Sequence, residues 1–144
     1  MIKQHDSIII RLTSFAVIPF VQLFALYVLF HGHYSPGGGF QGGVLLAVSI
    51  MLMRLTMGTE RSMPRFPRTL GAVFACAGML LLFAVGLVPL LYGGNFLDYG
   101  LLPIPGMPAE ILRYYGIFFA EIGIALAVFG TIVVIFDNLA GENW

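Results

Sequence analysis

The 144-residue chain carries seven basic and seven acidic residues, so 10% of it is charged and its formal net charge is zero; soluble domains usually carry about 25%. Hydrophobic residues make up 59% and mean hydropathy is +0.95, more apolar surface than a soluble fold of this size can hide, and with no basic patch the chain is not a nucleic-acid binder. A single cysteine excludes a disulfide framework and any Cys-rich metal or iron–sulfur site, which leaves an all-α integral membrane protein.

The first charge-free run, Leu12 to Phe30, is long enough for a bilayer core of about 30 Å at ~1.5 Å per residue. Its apolar stretch is too long for a cleaved signal and no Ala-x-Ala site follows. Pro19 is expected to kink it. Only His31 to Ser35 separate it from the second run, Pro36 to Met53. The third lies between Thr69 and Tyr92, and the fourth, from about Leu112 to Phe136, contains one acid, Glu121. The expected fold is a single four-helix membrane domain over 1–144, with spans at about 8–31, 36–57, 69–92 and 112–136 and no internal repeat.

Short-loop Lys and Arg residues set the orientation. Lys3 and Arg11 come before the first charge-free run, and Arg54, Arg61, Arg65 and Arg68 lie between the second and third spans. The other side has only Arg113. Both termini are therefore expected in the cytoplasm. The long outer connection, Gly93 to Ile111, carries Pro103, Pro105 and Pro108 and suits an extended segment. Pro64-Arg65-Phe66-Pro67 reads as a stiff interfacial turn rather than a PxxP ligand.

Small residues let helices approach closely in lipid, where no hydrophobic drive separates helix from solvent. In span four, Gly116, Ala120, Gly123, Ala127 and Gly130 recur in steps of four and three and form one stripe. Span three has Gly71, Ala75 and Gly78, and span two opens on Gly38-x-x-x-Gly42 and Gly39-x-x-x-Gly43. Such faces either hold the four helices to one another or dock them onto other subunits. Ser35-Pro36 reads as an N-cap followed by proline at the first helical position.

Glu121 is the most informative polar residue. It lies about 13 Å into span four and about 140° around the helix from Gly116, so acid and glycine stripe address different neighbours. An ionised carboxylate there costs a few kcal/mol. Two readings stand: a protonated acid making one interhelical hydrogen bond, or an acid beside a proton or sodium path. His31 and His33 point different ways on a helix and lack a third ligand, so no metal site is expected, although His33 can titrate near neutral pH. Cys76 is expected to be a small packing residue. No nucleophile–base pair, phosphate loop or cofactor box is visible; no cofactor is expected, and the chain is not expected to be an enzyme.

The run Gly32-His33-Tyr34-Ser35-Pro36-Gly37-Gly38-Gly39-Phe40-Gln41-Gly42-Gly43 resembles the signature of the B subunit of Mrp-type (Mnh) multisubunit sodium/proton antiporters, Gly-His-x-x-Pro-Gly-Gly-Gly-Phe-x-Gly-Gly. Phe119-Ala120-Glu121-Ile122-Gly123 resembles a segment of that family's last helix. Tyr34-Ser35 and Gln41 depart from the residues more usual there. The resemblance covers nearly the whole chain. It implies an accessory subunit in a prokaryotic inner-membrane complex related to the membrane arm of respiratory complex I, with large antiporter-like and small helical subunits as partners and Na+ and H+ as the transported ions. Gly32, His33, Pro36, Gly37, Gly38, Gly39, Phe40, Gly42 and Gly43 carry the motif, and none is catalytic in the enzymatic sense. Similar subunits occur in membrane-bound hydrogenases, which keeps a redox-coupled complex open as an alternative; a purely structural membrane subunit is the other.

Overall fold

A computed structural model describes residues 7–32 and 37–141. The described residues form four long helices and no strand: α1 (Ile8–Phe30), α2 (Gly39–Met57), α4 (Arg68–Leu91) and α5 (Ala109–Gly141), with a single-turn α3 (Thr59–Ser62) between α2 and α4. All four long helices have the length and apolarity to cross a membrane.

Their boundaries follow from local backbone chemistry. Helix α1 runs unbroken through Pro19 and ends at His31. Helix α2 begins at Gly39: its N-cap is Gly38, whose φ of 107° is closed to helix and strained for any residue with a Cβ. Ser35 and Pro36 lie outside the described residues. Gly58, at φ 75°, ends α2 and opens α3. Helix α5 starts and finishes beyond the expected span, so Glu121 lies about 18 Å from its first residue at ~1.5 Å per residue.

The long helices lie side by side in the order α1, α2, α5, α4. Helix α2 packs on both α1 and α5, and α4 packs on α5. The chief apolar core lies between α1, α2 and α5, around Ile18, Ala47, Ile50, Met53, Phe129 and Val133. Phe66, Phe74 and Phe129 extend it towards α4 with edge-to-face ring contacts of 5.5 Å. The outer helices expose rows of large apolar side chains, among them Phe20 and Phe24 of α1 and Leu80 and Leu91 of α4. Lipid, not water, is the solvent such faces suit. Cys76 is on the exposed side of α4 rather than in a helix contact.

The connection between α4 and α5 is not simply extended. Leu97 N–H donates back to Gly86 O (3.2 Å), and the Tyr99–Leu101 3-10 turn packs on α4 and α5. The Tyr99 ring lies over Gly116. Partial burial pushes its hydroxyl above the ordinary tyrosine value.

Candidate functional site at Glu121

Glu121 projects from the middle of α5 towards the glycine-rich connection of α1 and α2. A Cβ on Gly38 would come 3.3 Å from its Oε1, one on Gly32 would come 3.0 Å from its Oε2, and one on Gly39 would run into its carbonyl oxygen. The glycines thus bring two stretches of main chain against one carboxyl group, with no side chain between them. Oε2 is shut off from the surface. The first-turn N–H groups of α2, which have no acceptor within their own helix, belong to this same end. Those N–H groups, at the positive end of the α2 dipole, favour the ionised form of a nearby carboxyl group, and a carboxyl group at membrane depth can take up and release a proton where hydrocarbon cannot.

The remaining motif glycines serve the same approach. A Cβ added to Gly42 would come 3.1 Å from Ala25 O and Leu29 of α1, one on Gly43 would come 2.6 Å from Ala125 O of α5, and one on Gly37 would come 3.2 Å from Val28. Phe40, in contrast, points outward and is 63% exposed. His33 and Pro36 lie outside the described residues. His31 stacks on Tyr27 with ring centroids 4.2 Å apart. Among the described residues no group of three His, Cys, Asp or Glu side chains could hold a metal ion.

The stripe on α5 faces a different neighbour, as its angle to Glu121 requires. A Cβ added to Gly123 would come 3.0 Å from Gly78 O and Leu82 N of α4, Ala127 backs onto Gly78, and Gly130 abuts Ala75 and Gly71. Ala120 is also buried, while Gly116 takes the Tyr99 ring. These small-residue faces meet helices of their own chain.

A second polar cluster was not foreseen. Arg54, in the last turn of α2 and fully buried, donates from Nε to Asp137 Oδ1 and from Nη2 to Asp137 Oδ2, both at 3.0 Å. Nη1 donates to Ser62 Oγ (3.2 Å) and Nη2 also to Phe66 O (2.6 Å). Four bonds occupy most of the guanidinium's five donors, which is what burial of this charge requires. As a sequence feature Arg54 is one of several charges between the second and third spans, and nothing local marks it as paired. An arginine closing one span and an acid closing another, at the same end of the row, was the available signal.

A family model described as a domain related to the MnhB subunit of Na+/H+ antiporter matches residues 9–134. The chain belongs to the MnhB family. It is 32% identical to "Putative antiporter subunit mnhB2" of Staphylococcus saprophyticus subsp. saprophyticus over 96% of this chain and 97% of that protein. It is 29% identical to the protein of the same name from Staphylococcus aureus (strain Newman), over 96% and 97%. The match includes the α1–α2 connection, Glu121 and the α4–α5 contact. With four apolar helices, this MnhB-family chain is a multi-pass protein of the bacterial cell membrane.

Proposed function

We propose that the chain is a non-catalytic membrane subunit of a multisubunit sodium/proton antiporter, associated with large antiporter-like and small helical membrane subunits, and that Glu121 stands beside the route of the transported ion. The reading rests on one observation. The acid in the middle of α5 meets the bare backbone of the connection that carries the family's glycine motif. Non-helical backbone at membrane depth is tolerated where protein covers it or where it lines a polar path, and here it adjoins a carboxyl group.

The end of the row with α3 and the α2–α4 connection faces the cytoplasm in this reading. Arg11, Arg61, Arg65 and Arg68 gather there, against Arg113 at the other end. Membrane depth then follows from helix rise: Glu121 lies about 24 Å along α5 from Asp137, towards the outer side of a ~30 Å core.

The test is Glu121→Gln in the native complex, with assembly followed by mild-detergent purification and antiport by sodium-driven proton movement in membrane vesicles. The expected result is an intact complex whose antiport falls at least ~100-fold, the size of effect that losing one positioned proton-transfer group produces. Unchanged antiport from an intact complex would remove Glu121 from the ion route. Dissociation of the complex would make its role one of assembly.

A further inference from the structure

Three arginines at the α3 end of the row have no part in the Arg54 cluster. Arg11 of α1, with Arg61 and Arg65 from α3 and the chain after it, lines a groove of about 490 Å³ between the start of α1 and the end of α2. Among the described residues none of the three makes an ion pair, and none that lines the groove is acidic. Arg65 is steered over it by donating from Nη1 to Arg61 O (3.1 Å) and Met57 Sδ (3.5 Å). Leu12, Phe15 and Met57 supply an apolar wall. From Ile8 to Phe15 that wall descends about 10 Å along α1, at ~1.5 Å per residue.

We infer that this groove holds an anionic phospholipid, with its phosphate on Arg11, Arg61 and Arg65 and its acyl chains along Leu12, Phe15 and Met57. Each feature matches one part of that ligand. Three cations converge at the end of membrane-spanning helices, the level at which headgroup phosphates lie, and guanidinium groups bind phosphate oxygens in a fork. Leu12 and Phe15, 69% and 60% exposed, continue from the arginines in the direction the acyl chains run. An acidic protein segment would satisfy the arginines but leave that wall uncovered. Arg54, at the same end, is buried on Asp137 and contributes nothing to the groove.

The experiment uses the assembled complex in vesicles containing either phosphatidylglycerol or phosphatidylcholine with a photoreactive acyl chain, and the labelled peptides are mapped. Phosphatidylglycerol is expected to label the 8–15 and Met57 regions about tenfold more than phosphatidylcholine. Replacing Arg11, Arg61 and Arg65 together with Gln should abolish that preference, and Lys at all three should largely retain it. In the unaltered protein, raising salt from about 0.05 to 0.5 M should weaken the preference, which tests the inference even if the Gln variant fails to assemble. Equal labelling by the two lipids, or a preference that survives both the Gln replacements and high salt, would overturn it. So would a photoreactive residue at position 12 that captures a neighbouring polypeptide instead of lipid.

Discussion

Arg54 and Asp137, 83 residues apart in sequence, meet through two N–H···O bonds of 3.0 Å in a site closed to the surface. They fasten α2 to α5 at one end, while Gly39 and Gly43 fasten the same two helices towards the other. The central pair of the row is therefore tied by charge at one end and by backbone contact at the other. Glu121 lies at the second tie, so its position against the α1–α2 connection depends on how these two helices are clamped.

Removing one member of the charged tie leaves the other charge buried without compensation. Asp137→Ala is expected to destabilise the chain by about 3–5 kcal/mol, seen as lower accumulation in the membrane and an earlier unfolding transition in mild detergent. Arg54→Lys keeps the charge but not the planar fork, and it also gives up the reach to Ser62 Oγ and Phe66 O. It should fall between the native chain and Asp137→Ala. Native stability in Asp137→Ala would show that Arg54 finds equivalent partners without it.

The α4–α5 contact depends on volume, not charge. A Cβ at Gly78 would strike Ala127 N and Gly123 O, and one at Gly130 would strike Ala75 and Gly71. The atoms in the way are main chain, which cannot swing aside. Gly78→Ala and Gly130→Ala should each force the helices apart at about 1–3 kcal/mol, measured by thermal unfolding in detergent. A Cβ on Gly93 meets no atom within 4 Å, yet its φ of 80° strains other residues; Gly93→Ala should cost only about 1 kcal/mol.

Between α1 and α2 one polar pair crosses the apolar surface. Gln22 Nε2 donates to Ser49 Oγ at 3.3 Å, and Ser49 Oγ donates to Leu46 O at 2.6 Å. A double-mutant cycle with Gln22→Leu and Ser49→Ala should give a coupling of about 0.6 kcal/mol, the usual size for an interhelical hydrogen bond in a membrane. Coupling indistinguishable from zero would mean that Ser49 is already satisfied by Leu46 O.

The parts of this fold that composition and periodicity specify were legible from the residues. Charge-free runs mark the four long helices because each must span hydrocarbon unaided, and the helical angle between Glu121 and Gly116 separates their neighbours because α5 is regular. Which helix meets which face was not legible. A stripe of small residues permits close approach without naming a partner, and the choice of α4 for Gly123 and Gly130 is made by the whole row. The pairing of Arg54 is hidden for a related reason: an arginine near a membrane surface satisfies the orientation rule whether or not it is paired. The start of α2 at Gly39 follows from the positive φ of Gly38, a backbone state that a run of glycines permits without saying which of them adopts it.

At the Glu121 end, backbone contact and carboxyl chemistry are separable. Gly39→Ala adds no charge and removes none, but its methyl group would meet the Glu121 carbonyl and Cα, pushing α2 from α5 where the acid sits. Phe40→Ala, one residue on, removes a ring that is 63% exposed and touches this site little. If Glu121 needs the bare backbone beside it, Gly39→Ala should lower antiport about as much as Glu121→Gln, while Phe40→Ala leaves the chain's own stability within about 0.5 kcal/mol. The measurement is sodium-driven proton movement in vesicles, normalised to assembled complex. Full antiport from an assembled Gly39→Ala complex would show that the close approach serves packing alone, since the helices would then have separated without disturbing the ion route.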